Sequence, residues 1–323
     1  MTRRDTPSIP IVQATAVRLS SRRPHALILP AFVAVSMVAL ACCGGSPSSS
    51  PSASLPAIQH LQLDFGGMTR TYRLFIPFTL NRQRPAPLVV VLGGYNDTAD
   101  TTAQLTHFDP EASSNGFVAV YPEGVGLSWN AGFCCGHNGY GADDVGFVNA
   151  VIDQLQSEYR IEAVQVYAVG FSSGAFMAYR LACEDSSRIA GIGSVAGATA
   201  LETCHPAKPV SVIEINGTVD PQVPFQGGEV MPTGTADHPI PSAANLVQGW
   251  AQLDACPGAS TLQTKGPVTI TAWVTCQAGT GVNLIAVDGG DHSWFAPALG
   301  PTDGAIDATD AIWHFLDSHR RTG

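Results

Sequence analysis

Gly170-Phe171-Ser172-Ser173-Gly174 is the stretch that decides how the chain folds. Ahead of it, Val164-Gln165-Val166-Tyr167-Ala168-Val169 reads as a buried strand. Behind it, Ala175-Phe176-Met177-Ala178-Tyr179-Arg180-Leu181-Ala182-Cys183 reads as a helix. Gly-x-Ser-x-Gly is short and its residues are common, so in a loop it would carry no information. Between a strand and a helix it is the sharp turn that lifts a serine hydroxyl above a sheet edge. Such a turn needs small neighbours on both sides, and Gly170 and Gly174 supply them. Ser172 is therefore the candidate nucleophile.

Working outward, apolar runs alternate with helix-spaced patterns. Strands are expected at 61–75 as a hairpin broken at Gly66-Gly67, at 87–92, at 117–121, at 189–195, at 210–215, at 268–274 and at 282–287. Helices are expected near 99–107, 143–159, 243–253 and 308–319. Strands alternating with helices predict an α/β fold: a mostly parallel central sheet with helices on both faces. Functional residues of such sheets collect at the carboxyl ends of the strands. The Pro- and Gly-rich stretch 221–241 is expected to wall the pocket.

A serine hydroxyl needs a base, and the base needs an orienting acid. Of nine His, His292 follows the last apolar strand, in Asp288-Gly289-Gly290-Asp291-His292-Ser293-Trp294. The others fall in the leader, on helices or in loops away from a strand end. Asp220 ends Asn216-Gly217-Thr218-Val219-Asp220, directly after the strand at 210–215. It is the expected acid; Asp254 and Asp291 are weaker candidates. The oxyanion of the intermediate needs two backbone N–H groups. Ser173 supplies one, and the loop after the strand at 87–92 supplies the other, from Gly94 or Tyr95. Asn96-Asp97-Thr98 and Asn216-Gly217-Thr218 match a glycosylation acceptor, read here as coincidence beside the site.

The 323 residues are 45% hydrophobic and 13% charged, enough for one large domain. Net charge is −10; the five Arg and one Asp of residues 1–41 carry +4, so the chain without them stands at −14. With Lys only at 208 and 265, nucleic acid and anionic lipid are poor ligands. No cofactor motif occurs, and adjacent Cys134 and Cys135 lack the spacing of a structural zinc site, so no metal is expected.

Arg22-Arg23 precede an apolar run too short to span a bilayer. Ala41-Cys42-Cys43 and a Gly/Ser/Pro tether follow. The expected organisation is a signal peptide at 1–41, a lipidated Cys42 with its tether at 42–57, and a catalytic domain at 58–323. Cys43 is the second choice for the lipid, and cleavage near Ala41 with plain secretion is the alternative. Export permits disulfides. Spacing pairs Cys183 with Cys204 and Cys256 with Cys276; Cys134 and Cys135 either bond to each other or stay thiols.

Four ordered stretches carry a resemblance. They are the elbow through Cys183, Asn216-Gly217-Thr218-Val219-Asp220-Pro221-Gln222-Val223-Pro224-Phe225, Trp129-Asn130-Ala131-Gly132-Phe133-Cys134-Cys135-Gly136, and Gly289-Gly290-Asp291-His292-Ser293-Trp294. Through them residues 60–320 resemble the polyhydroxybutyrate depolymerase-like and feruloyl/acetyl-xylan esterases of the α/β-hydrolase fold, in particular the LpqC-type lipoprotein esterases. The resemblance implies a serine esterase with a triad of Ser172, Asp220 and His292, and with Trp129, Asn130 and Trp294 near substrate. It implies a small ester, an esterified polysaccharide or a short polyhydroxyalkanoate as substrate. The chain departs from that family at Gly93, where His is usual, and at Ala175, where a further Gly is usual. The other class of reading is an envelope lipoprotein that keeps the fold without the chemistry.

Overall fold

The computed structural model describes residues 57–135, 141–230, 238–258 and 260–321. The expected leader, Cys42 and all of the tether except Ala57 lie outside them, as does part of the 221–241 stretch.

Ten strands form one sheet: β1 (Ala57–Phe65), β2 (Met68–Ile76), β3 (Ala86–Leu92), β4 (Val118–Pro122), β5 (Ile161–Phe171), β6 (Ile189–Val195), β7 (Ser211–Gly217), β8 (Thr261–Lys265), β9 (Val268–Trp273) and β10 (Val282–Val287). Their order is β1-β2-β4-β3-β5-β6-β7-β10-β9-β8. The six central strands, β4 to β10, run parallel. Hairpins close both edges, β1–β2 on one side and β9–β8 on the other. The mostly parallel sheet is the one expected from the alternating pattern, and the arrangement is the α/β-hydrolase fold that the resemblance implied.

β3 and β4 are apolar along their length because helices cover both faces, whereas β7 carries Glu214 and Asn216 into the buried sheet. Side chains of β3 alternate between two cores. Leu88, Val90 and Leu92 join one, with α3 (Asp144–Glu158), α4 (Ser173–Glu184) and α5 (Ala243–Leu253). Val89 and Val91 join the other, with α1 (Ala99–Thr106), α2 (Phe108–Asn115) and α6 (Ala308–Ser318). All five β3 side chains are fully buried. Each contributes about 1.5–3 kcal/mol relative to exposure.

Two elements were not expected. The helix at 99–107 ends at Thr106, because His107 turns left-handed at φ 55°, and α2 starts immediately after it. β8 is exposed along its whole length, so it has no buried face to leave an alternating pattern.

Candidate active site

The turn from β5 into α4 sets the geometry. Ser172 sits at φ 51° and ψ −119°, a region that non-glycine residues rarely occupy and that costs about 1–3 kcal/mol. Its neighbours hold it there. Ser172 N–H donates to Val195 O at 2.9 Å, and Ser172 O accepts from Ala175 N–H and Phe176 N–H. A Cβ on Gly170 would stand 2.1 Å from Gly174 O, and one on Gly174 would stand 2.1 Å from Leu92 O. Both contacts are with backbone, which cannot swing aside.

Three strand ends converge on the serine. Asp220 follows β7 and His292 follows β10, next to each other in the sheet. The two loops are stitched together: Val219 N–H donates to Gly290 O at 3.1 Å, and Gly289 N–H donates to Thr218 Oγ1 at 2.9 Å. His292 Nε2 lies 3.0 Å from Ser172 Oγ. His292 Nδ1 lies 2.7 Å from Asp220 Oδ2. Asp220 is acceptor-only when ionised, so Nδ1 carries the proton and Nε2 is left to accept from the serine hydroxyl. Asp220 Oδ1 is fixed by Gln222 N–H and Val223 N–H at 2.8 and 2.9 Å. Of the weaker acid candidates, Asp291 Oδ1 binds the His292 backbone N–H, and Asp254 binds Val210 N–H.

Ser173 is the first residue of α4, so its N–H has no partner within the helix and stands at the positive end of the helix dipole. Across the cleft, Gly94 N–H donates to Asp97 Oδ2 at 2.9 Å and is therefore engaged. Tyr95 N–H has no acceptor among the described residues. Burial raises the Asp97 carboxyl above its ordinary value, and the Gly94 N–H partly offsets this.

A cleft of about 300 Å³ opens over Ser172. Phe171, Phe176, Val223 and Val230 give it apolar walls; Tyr95, Asp97, Gln222 and Cys135 complete them with the glycine loop. Among the described residues, no Lys or Arg lines it.

Trp129, Asn130 and Trp294 were expected near substrate, but none of them lines this cleft. Trp129 is buried, and its Nε1–H donates to Gly93 O at 2.9 Å. Asn130 turns away: its Nδ2–H donates to Ala142 O, and its backbone N–H to Asp144 Oδ2. Trp294 is buried behind Phe171, with its Nε1–H on Thr309 Oγ1 at 3.0 Å. The indole N–H groups of both tryptophans and the Asn130 Nδ2 group thus each bond to protein. Asp97 was missed as a site residue, having been read only as the middle of a glycosylation triplet. A Gly-x-x-Asp turn, whose side chain can accept from the N–H three residues earlier, was the available signal.

Both departures from the family pattern have local compensation. A Cβ on Gly93 would meet Thr102 Oγ1 at 2.3 Å and Asp97 Cβ at 2.9 Å, so those side chains fill the space. Ala175 is accommodated by Gly197, where a Cβ would stand 2.2 Å from the alanine methyl.

The disulfides Cys183–Cys204 and Cys256–Cys276 are formed. Cys134 and Cys135 are joined to each other, the first of the two expected alternatives.

Residues 70–224 match the family model described as esterase PHB depolymerase. Over those residues the chain is similar to the polyhydroxybutyrate depolymerase-like esterases. NocK of Nocardia uniformis subsp. tsuyamanensis, named as an esterase, is 29% identical over 88% of this chain and 96% of its own length. The feruloyl esterase B of Piromyces equi is 26% identical over 67% of this chain, which spans 41% of that protein. The bifunctional acetylxylan esterase/xylanase XynS20E of Neocallimastix patriciarum is 25% identical over 70% of this chain, which spans 31% of it. In fold, this esterase relative superposes on the acetyl xylan esterase of Aspergillus awamori with a TM-score of 0.58 at 15% identity, covering 81% of this chain and 99% of that one. It superposes on the S-formylglutathione hydrolase of Agrobacterium tumefaciens with a TM-score of 0.52 at 12% identity, covering 81% and 94%.

Proposed function

We propose that the chain hydrolyses carboxylic esters by way of an acyl-enzyme on Ser172. Ester hydrolysis itself is supported by the family match and the named relatives. The observation that carries the rest is the line of contacts from Asp220 through His292 to a serine held at φ 51°.

Ser172 Oγ attacks the acyl carbon while His292 Nε2 takes its proton. Asp220 keeps the ring in the right tautomer and stabilises the imidazolium that forms. The carbonyl oxygen becomes an oxyanion and is met by Ser173 N–H and an N–H of the 93–95 loop. The carbon–oxygen bond to the alcohol then breaks, and His292 returns its proton to the departing oxygen. Water enters, gives a proton to His292 and attacks the acyl carbon. Ser172 leaves with that proton, and the free acid departs.

The substrate we infer is an uncharged ester with a small or aromatic acyl group. Apolar walls suit such a group, while Asp97, with no Lys or Arg among the described lining residues, disfavours an anionic one. Acetylxylan and feruloyl esters, which the relatives' names mention, fit that description. A short hydroxyalkanoate oligomer ending in a carboxylate fits it less well. The enzyme acts after export, either held by a lipid on Cys42 or released; the leader and the three disulfides support that location.

A hydrolysis screen tests this reading. Acetyl and feruloyl esters are expected to turn over faster than carboxylate-terminated hydroxybutyrate oligomers. The reverse order would overturn the substrate assignment, and no turnover of any ester would overturn the function.

A further inference from the structure

The loop opposite Ser172 is pinned at every peptide group. Trp129 Nε1–H donates to Gly93 O at 2.9 Å, and Gly94 N–H donates to Asp97 Oδ2 at 2.9 Å. Those two groups are the ends of one peptide unit. The next unit is held too, because Asp97 N–H donates to Gly94 O at 3.2 Å. Asn96 N–H, bonded to Leu127 O at 2.9 Å, ties the turn to the segment that carries Trp129.

We propose that Asp97 and Trp129 act as a clamp that makes Tyr95 N–H, and not Gly94 N–H, the second oxyanion donor. The peptide between Gly94 and Tyr95 is trans. In a trans peptide the N–H points opposite to the C=O. Holding Gly94 O toward Asp97 therefore turns Tyr95 N–H outward from the turn. Tyr95 lines the cleft beside Ser172, and a Cβ on Gly94 would lie only 3.6 Å from Ser172 Cβ. The clamp also explains Gly93. The space beside it is filled by Thr102 and Asp97, so the loop is ordered from outside and not by a side chain of its own.

Asp97 and Trp129 are positioning residues: neither touches the reacting atoms, and each acts on the chemical step through the loop. This inference rests on Ser172 being the nucleophile, and the test separates the two. The full chain is compared with Asp97→Ala, Asp97→Asn and Trp129→Phe. Measured are kcat and KM on p-nitrophenyl acetate, melting temperature, labelling by a fluorophosphonate, and inhibition by a trifluoromethyl ketone, whose adduct carries an oxyanion.

Removing an oxyanion donor costs roughly 10²–10³ in kcat. Loosening one is expected to lower kcat by at least about ten-fold. Asp97→Ala and Trp129→Phe should show that loss, with KM nearly unchanged and ketone affinity weakened in step. Asp97→Asn, which keeps an acceptor oxygen for Gly94 N–H, should restore most of it. Folded Asp97→Ala or Trp129→Phe with wild-type kcat and ketone affinity would overturn the clamp. So would Asp97→Asn as poor as Asp97→Ala, since charge and not the hydrogen bond would then matter. If Asp97→Ala fails to fold, Trp129→Phe decides. A folded wild type that is never labelled would overturn the nucleophile, and the clamp with it.

Discussion

Asp220 Oδ2 lies 2.7 Å from His292 Nδ1, and the other oxygen of the same carboxylate is held by two backbone N–H groups. The carboxylate therefore cannot rotate away from the imidazole, and its position fixes which nitrogen carries the proton.

Asp220→Asn reverses that order. Facing Nδ1 with an amide N–H favours the tautomer protonated on Nε2, which cannot accept the Ser172 proton. We expect kcat near pH 7 to fall about 10³–10⁴-fold with KM little changed. Steady-state kinetics on a soluble acetate ester checks it.

Glu214 gives the fold a pH dependence of its own. It lies fully buried on β7 beneath α4, with Tyr179 O–H donating to Oε2 at 2.8 Å. Burial pushes its carboxyl up to about 8, with Ser194, Tyr179 and Asn216 offsetting part of the effect. Between its ordinary pKa of 4.5 and about 8, the unfolded chain has lost a proton that the folded chain keeps. Stability contributed by Glu214 is thus full at low pH and falls as pH rises through that window. Glu214→Gln, an isostere of the neutral acid, should flatten the decline of the urea midpoint between pH 5 and 8. Asp254, raised by burial to about 6, leaves a smaller decline of the same sign.

The disulfide Cys183–Cys204 ties the last turn of α4 to the loop before β7, across a separation of 21 residues. Closing a loop of that length constrains the unfolded chain by about 3 kcal/mol. Replacing both cysteines with Ala should lower stability by about that amount in a denaturant titration, while leaving kcat close to wild type because neither residue lines the cleft.

Two glycines make a matched pair. Gly174→Ala drives a methyl into Leu92 O and Gly93 O, and should cost more than about 3 kcal/mol along with most activity. Gly249→Ala, in α5 with nothing within 4 Å of the new methyl, should gain about 0.5–1 kcal/mol. Thermal melts of the two variants give both signs.

The parts of the fold that were legible in the chain are those with one strong local cause. β3 and β10 are apolar because both faces are covered, and the elbow shows its glycines because backbone crowds it on both sides. Ser172, Asp220 and His292, which the structure brings within hydrogen-bond distance of one another, were legible because each follows a strand that announces itself. α2 was hidden by Pro110 and a run of Ser and Asn, and β8 by having no buried face. The resemblance placed Trp129 and Trp294 near substrate, and sequence carries no information on which way a ring points. Each is held inward by a single indole N–H bond. Asp97 was illegible as a site residue because its role depends on one backbone N–H three residues earlier.

The central claim is that Ser172 is the nucleophile. A fluorophosphonate probe, read by intact mass and peptide mapping, tests it most directly. We expect one adduct per chain, on the peptide carrying Ser172, and none on Ser172→Ala of equal melting temperature. A folded wild type that takes no label, or a label that survives Ser172→Ala, would contradict it.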